Sequence, residues 1–312
     1  MPSAIVFAYH NVGVRCLSVV LHHGIAVRLV VTHEDNPNEN IWFDSVKELA
    51  GQHGIPVMSP DDPNVPAFVQ RIRDNAPDFI FSFYYRLMLK PTLLSIPKRG
   101  AFNMHGSLLP KYRGRVPINW AVINGETETG ATLHAMLEKP DAGDIYGQQS
   151  VSILPDDNAL DVFEKVTAAA GSVLDDVLPS LLNGKAVGVR QDLSKGSYFG
   201  GRKPDDGRID WRASAQTIHN LVRGVAPPYP GAFCDIQGKR LRILRTKYAA
   251  EKHMDSASPG IYAAGGNIHA VCGDGGVLKL LEIDMDDAPI SYDRFCALFG
   301  VQSATQKIRL IK

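Results

Sequence analysis

The run Phe102-Asn103-Met104-His105-Gly106-Ser107-Leu108-Leu109-Pro110-Lys111-Tyr112-Arg113-Gly114 begins as an apolar strand and ends in a loop punctuated by Gly and Pro. It closes a series. Short runs rich in Val, Ile and Phe at 4–8, 26–31, 55–58, 79–83 and 101–104 alternate with stretches at 15–22, 43–52 and 67–75, whose apolar residues recur at three- and four-residue spacings. Strands alternating with helices predict a parallel sheet, and right-handed crossovers cover both its faces, which is the doubly wound plan. Two more strand-like runs, 129–136 and 144–154, precede a helical pattern over 159–182 that stops at Asn183-Gly184. Segment 195–206, dense in Gly, Lys, Pro and Asp, reads as a linker. After a helix at 213–223, β-like runs at 231–236, 241–246, 260–262, 268–272 and 277–283 predict a small open barrel of about five strands. The expected domains are 1–200, an α/β unit with a mostly parallel Rossmann-like sheet, and 201–312, a small OB-like β-barrel.

Composition narrows the partners. With 312 residues, 45% apolar and 21% charged, the chain is globular. Thirty-three Lys plus Arg balance thirty-three Asp plus Glu, so no global positive field recruits nucleic acid or an anionic membrane. Cys16, Cys234, Cys272 and Cys296 are far apart, without a Cys-x-x-Cys pair or the framework of a small secreted domain, and fit a reducing cytoplasm. The start, Met1-Pro2-Ser3 leading into Ile5-Val6-Phe7, has no basic n-region and no bilayer-spanning run, so a soluble, unprocessed cytoplasmic protein is expected. Nothing in the sequence specifies an oligomeric state.

Ligands of doubly wound sheets sit beyond the carboxyl ends of the strands, and residues two apart on a strand face the same side, so Asn103 and His105 face one substrate together. Asn103 brings an amide donor and His105 a titratable ring. Glu138-Lys139-Pro140-Asp141-Ala142-Gly143-Asp144 places carboxylates in a Pro- and Gly-shaped loop between two predicted strands, and Asp141 is the candidate to orient His105. A carboxylate beside an imidazole favours the charged ring, and a hydrogen bond between them would fix the tautomer and leave the other nitrogen free to take a proton. This is acid–base architecture without a nucleophile: Ser107 lies two residues from His105, but no Gly-x-Ser-x-Gly elbow accompanies it. His22, His23 and His33 lack metal-ligand spacing, so no metal site is predicted. The absence of a Gly-x-Gly-x-x-Gly after the first strand and of a Walker loop argues against a dinucleotide or ATP. Arg113, Arg115, Arg202 and Lys203 are cations available to a diphosphate, though the same residues also read as solvated charge, and Pro117 opens a helix whose N-terminus favours an anion.

The run 103–114, together with Asp141-Ala142-Gly143, resembles the folate-dependent formyltransferase family, which includes methionyl-tRNA and sugar-nucleotide formyltransferases. Phe7-Ala8-Tyr9-His10, Thr32-His33-Glu34-Asp35-Asn36-Pro37, Phe81-Ser82-Phe83-Tyr84-Tyr85-Arg86 and Asn124-Gly125-Glu126-Thr127-Glu128-Thr129-Gly130 narrow it. They resemble the branch acting on UDP-4-amino-4-deoxy-L-arabinose, where the formyltransferase is half of a bifunctional polymyxin-resistance enzyme. The likeness continues through Arg202-Lys203-Pro204-Asp205-Asp206, His219-Asn220-Leu221-Val222-Arg223 and Pro230-Gly231-Ala232-Phe233.

That resemblance implies a Rossmann-like catalytic domain followed by a small barrel, 10-formyltetrahydrofolate as formyl donor, and a small-molecule sugar nucleotide as acceptor. It also implies roles: Asn103 for the oxyanion, His105 for proton transfer and Asp141 for tuning His105. The folate is expected at Leu87, Met88, Leu89, Arg115, Leu137, Glu138, Lys139, Pro140, Asp141 and Asp144, and the sugar nucleotide at Ser107, Tyr112, Arg113, Arg202 and Lys203. The chain departs from the bifunctional pattern in lacking a second half with a dinucleotide fingerprint, so any decarboxylase partner is expected to be a separate protein. It also carries Met104 where leucine is usual, and Gly200-Gly201-Arg202-Lys203 where one fewer glycine and two arginines are usual. A tRNA acceptor would call for a basic surplus in the C-terminal region, and residues 213–312 show no strong imbalance.

Overall fold

A computed structural model describes residues 1–37, 39–249, 258–301 and 307–309 of the chain. They divide into two compact units. The first comprises Met1–Pro117, Glu128–Ser152 and Phe163–Gly200, and the second Ile118–Thr127, Ile153–Val162 and Gly201–Lys312.

Five strands, β1 (Ser3–Ala8), β2 (Ala26–Val31), β3 (Val57–Met58), β4 (Phe79–Phe83) and β5 (Ala101–His105), alternate with α1 (His10–His22), α2 (Val46–Gln52), α3 (Pro66–Asp74) and α4 (Pro91–Leu94). The chain continues through β6 (Arg113–Gly114), α5 (Pro117–Ile123), β7 (Glu128–Ala135), β8 (Ile145–Ser152), α6 (Ala159–Leu182) and β9 (Tyr198–Phe199). The sheet order is β3-β2-β1-β4-β5-β7-β8. All pairings from β3 to β5 are parallel, whereas β7 runs antiparallel to both β5 and β8.

Every residue of β1 and β4 is buried, because a parallel strand covered by helices on both faces needs a continuous apolar run rather than an alternating one. Ile5 and Phe7 of β1, Val31 of β2 and Ile80 of β4 share one core with Phe68 and Ile72 of α3 and Leu93 of α4. Burying each such side chain contributes about 1.5–3 kcal/mol. Local chemistry starts the helices: Ser45 Oγ accepts the Glu48 N–H at 3.2 Å, and Pro66 sits in the first turn of α3.

The segment read as a linker is partly ordered into the first unit. β9 pairs in parallel with β6, Arg113 N–H donates to Ser197 O at 3.0 Å and Arg115 N–H to Phe199 O at 2.9 Å. Tyr112 stacks on Phe199 with ring centroids 5.1 Å apart. A two-residue strand has no periodicity to read, and Gly and Pro on either side mask it.

The second unit carries α7 (Ala215–Gly224), β10 (Ala232–Ile236), β11 (Lys239–Tyr248), β12 (Gly260–Ala264), β13 (Asn267–Val271), β14 (Val277–Met285), β15 (Ala288–Pro289), α8 (Tyr292–Phe299) and β16 (Lys307–Arg309). Its antiparallel sheet runs β10-β11-β14-β13-β12-β16, with β15 added to β14, as an open half-barrel. Ile218 and Val222 of α7 and Phe295 of α8 pack into its concave core with Leu241, Ile243 and Leu278. The five expected strands are present; β15, β16 and α8 were not anticipated.

Candidate active site

Asn103 and His105 occupy the carboxyl end of β5, and pairing with β7 sets Asn103 opposite His134 and His105 opposite Thr132. The Asn103 amide nitrogen lies 3.1 Å from His134 Nε2. Both histidines are almost fully enclosed, so each ring nitrogen needs a partner inside the protein. His134 Nδ1 lies 2.8 Å from Ala135 O, and His105 Nε2 2.8 Å from Tyr112 O. A carbonyl oxygen only accepts, so His134 carries hydrogen on Nδ1 and His105 on Nε2.

Asp141 reaches both rings: its Oδ1 is 3.5 Å from His105 Nδ1 and 3.5 Å from His134 Nε2. The structure therefore corrects the expected relay. The Tyr112 carbonyl, not Asp141, fixes the His105 tautomer, and Asp141 faces the other ring nitrogen, Nδ1. At 3.5 Å the carboxylate acts as a nearby charge rather than through a short hydrogen bond. Burial pushes the Asp141 carboxyl up, but the charge of His105 and the N–H of Gly114 act against it, and the group is held below the usual carboxylate range. Asp141 is thus a standing anion beside His105.

Its loop is pinned on several sides. Gly114 N–H donates to Asp141 Oδ2 at 2.9 Å, the buried Gln191 amide donates to Asp141 O at 3.1 Å and Gly143 O at 2.6 Å, and Ala135 N–H donates to Asp144 O at 2.9 Å. Asp141 itself takes a left-handed backbone, φ 51. Gly114, φ 100, and Gly143 leave no room for a Cβ, which would strike Phe199 O and Ala135 O respectively.

Other predicted residues divide by position. Ser107 is fully buried, its hydroxyl donating to Lys111 O at 2.7 Å, and Tyr112 is buried with its carbonyl on His105. The Ser107 side chain thereby braces the loop. Thr132 Oγ1 braces the same loop, donating to Ser107 O at 2.6 Å and accepting from Leu109 N–H at 3.2 Å. Leu89 lies in the core, so its side chain is no ligand surface, whereas Leu87 and Met88 beside it stay exposed. Leu137, Glu138, Lys139 and Asp144 are exposed and Pro140 half-buried. Arg113 is half-buried; Arg115 is exposed and carries no ion pair among the described residues. Arg202 and Lys203 belong to the second unit, where Arg202 lies 4.6 Å over the Trp120 ring and donates to Asp206 O at 2.8 Å, while Lys203 is exposed.

Sequence reading missed His134 and Gln191. His134 had a signal, a histidine inside the strand-like run Ala131-Thr132-Leu133-His134-Ala135-Met136; Gln191 had none. Among the described residues no group of His, Cys, Asp and Glu is placed to hold a metal ion, and no helix is long and apolar enough to cross a membrane.

An amide, an imidazole with one nitrogen facing a carboxylate, and that carboxylate are thus brought together at the carboxyl edge of a doubly wound sheet. The sequence matches the formyl transferase family over residues 16–178 and the formyl transferase C-terminal domain over 202–298, and the chain belongs to that family. Several solved structures share its fold. An N-formyltransferase from Helicobacter canadensis, in complex with folinic acid and dTDP-3-aminofucose, is 19% identical, with a TM-score of 0.70 over 90% of this chain and 99% of that one. WlaRD, a sugar 3N-formyl transferase solved with dTDP and 5-N-formyl-THF, gives the same identity and TM-score over 92% and 99%. A likely sugar N-formyltransferase from Mycobacterium tuberculosis, Rv3404c, is 18% identical, with a TM-score of 0.62 over 80% and 99%. At such identities the likeness is one of fold.

Proposed function

We propose that this chain transfers the formyl group of 10-formyltetrahydrofolate to the 4-amine of UDP-4-amino-4-deoxy-L-arabinose, giving the 4-formamido sugar nucleotide of lipid A modification and polymyxin resistance. The observation that carries the chemistry is the cluster of Asn103, His105, His134 and Asp141. Attack of a neutral amine on a formyl carbon builds negative charge on the formyl oxygen, and a preorganised donor aimed at that charge is commonly the largest single contribution to catalysis. With one N–H of Asn103 on His134 Nε2, the other is left for that oxygen. The amine loses a proton as the C–N bond forms, and the departing nitrogen gains one. His105 Nδ1 is the atom that holds the proton between these events, with Asp141 stabilising the imidazolium.

The surroundings fit the donor. Leu87, Met88 and Leu137 are apolar side chains left exposed, suited to a flat heterocycle, and Arg115 offers a cation to a carboxylate. Relatives of the same fold solved with folate derivatives and dTDP or a dTDP-sugar support the two substrate classes. The arabinose branch rests on the motifs around Tyr9, His33, Tyr84 and Thr127.

The test is formyl transfer from 10-formyltetrahydrofolate to UDP-4-amino-4-deoxy-L-arabinose, a dTDP-amino sugar and methionyl-tRNA, compared by kcat/KM. Preference for the UDP-sugar by at least tenfold is expected. Preference for the dTDP-sugar or the tRNA overturns the acceptor and keeps the chemistry, and transfer to none overturns both.

A further inference from the structure

A second concave site lies in the first unit, apart from the catalytic cluster. Strand order reverses between β1, whose chain continues into β2 on one side, and β4, which lies on the other. Doubly wound sheets bind ligands in the crevice at such a switch point. Beyond the end of β1 a cavity of about 270 Å³ opens between α1 and α6, lined by Asn11, Arg15, Phe163, Glu164, Thr167 and Ala168. Phe163, the one aromatic residue lining it, is met edge-on by the rings of His10 and Trp42 at 4.8 and 5.4 Å.

The polar groups on its walls are largely uncommitted. Arg15 lies across α6 at Gly171, where a Cβ would collide with it, and it forms no ion pair or hydrogen bond among the described residues; the same is true of Glu164. Asn11 Oδ1 accepts the Asp44 N–H at 2.7 Å, which leaves its NH2 end unused. Thr167 donates to Phe163 O at 2.8 Å and keeps its lone pairs.

Charge decides what fits. One guanidinium and one carboxylate in the same cavity cancel, so a diphosphate gains little there. Two donors and a carboxylate acceptor instead complement a neutral ring edge on which an N–H lies between two carbonyl oxygens. The volume falls below the roughly 300–1,000 Å³ of sites for whole small molecules, so the cavity takes part of a ligand. β1, which leads into α1, and β5, which bears Asn103 and His105, are separated only by β4, about 10 Å from strand to strand.

We propose that this cavity receives the pyrimidine base of the acceptor nucleotide, with Arg15 and Asn11 donating to the ring carbonyls and Glu164 accepting the ring N–H. This rests on the sugar-nucleotide reading above. Calorimetric titration of the full chain with UMP and CMP tests it, alongside Arg15→Ala, Glu164→Ala and formyl-transfer kinetics; both side chains are exposed, so the variants should keep the wild-type melting temperature. UMP is expected to bind at least tenfold more tightly than CMP, which has no hydrogen on N3 for Glu164. Each substitution should weaken UMP about tenfold and raise KM for the UDP-sugar in step, with kcat within twofold, and Glu164→Ala should erase the preference over CMP. No UMP binding to wild type, or UMP affinity indifferent to both substitutions, overturns the cavity assignment. If UDP-sugar formylation persists in that case, the acceptor reading stands without it. UMP binding that depends on Arg15 and Glu164 in an enzyme that does not formylate the UDP-sugar would leave the cavity assignment standing and overturn the acceptor.

Discussion

Replacing His134 with leucine should slow formyl transfer by about tenfold or less, and the reason lies in one hydrogen bond. His134 is 2% exposed, and its Nδ1 hydrogen is committed to Ala135 O at 2.8 Å, so Nε2 presents a lone pair to the Asn103 amide nitrogen at 3.1 Å. That bond turns the NH2 end of the amide toward the ring and the site. A neutral hydrogen bond contributes about 0.5–1.5 kcal/mol net, so it weights the working amide orientation by roughly twofold to twelvefold against all others. Leucine fills similar space and removes the bias, and kcat can fall by at most that factor through this route. Deleting the donor itself, Asn103→Ala, should cost about a hundredfold to a thousandfold. Steady-state formyl transfer by wild type, both single variants and the double variant closes a cycle in which His134→Leu has little further effect once Asn103 is alanine. A His134→Leu loss that persists in full in the Asn103→Ala background would refute this account and place the contribution on Asp141, 3.5 Å away.

His105→Ala should lower kcat by about 10²–10⁴-fold, and retention of most activity in single-turnover transfer would remove His105 from proton transfer. Asp141 is ionised well below the ordinary carboxylate range, so its titration should contribute no limb to the kcat profile between pH 5 and 9; a limb in that window that disappears in Asp141→Asn would contradict this. Burial first, and Arg86 second, depress the His10 pKa from 6.5 to about 3. The unfolded chain therefore takes up a proton below pH 6.5 that the folded chain refuses until about 3, and this contribution to stability, complete above 6.5, shrinks as pH falls, by about 2 kcal/mol at pH 5. Urea unfolding at pH 7 and 5 should show His10→Phe losing that share of the pH dependence, and an unchanged slope would refute the assignment. Gly114→Ala combines a left-handed backbone with a Cβ set on Phe199 O, and should lower stability by at least about 1–3 kcal/mol and displace the N–H that holds Asp141. An unchanged melting temperature and kcat would count against that geometry.

The order of strands and helices was legible because it is written in side chains: the apolar runs of β1, β4 and β5 and the amphipathic spacing of α3 leave few other packings. Asn103 and His105 were legible for a similar reason, two residues apart on a strand whose end faces a crevice. Asp141 could be suspected from its turn-forming neighbours, yet its distance to His105 comes from Gln191, Gly114 and the backbone of Ala135, none of which advertises the contact. His134 was visible as a buried-strand histidine, but its role depends on β7 lying antiparallel to β5 in the register that sets Asn103 opposite it. A one-residue slip would turn His134 to the other face of the sheet, and local sequence does not encode such a register.

What the sequence left out is mostly main chain, and that bears on how the cluster works. The His105 tautomer is set by the Tyr112 carbonyl, and Tyr112 is held by its N–H on Ser197 Oγ at 2.9 Å, by its ring on Phe199 and by the neighbouring β6–β9 pairing. A substitution at Tyr112 changes the ring but keeps the carbonyl, so the tautomer can survive loss of the side chain so long as the loop does. The His105 tautomer thus depends on segment 195–199, whose composition suggested only a connection between domains. Residues there act on His105 only by placing the Tyr112 carbonyl, and their replacement should alter kcat before it alters affinity for either substrate.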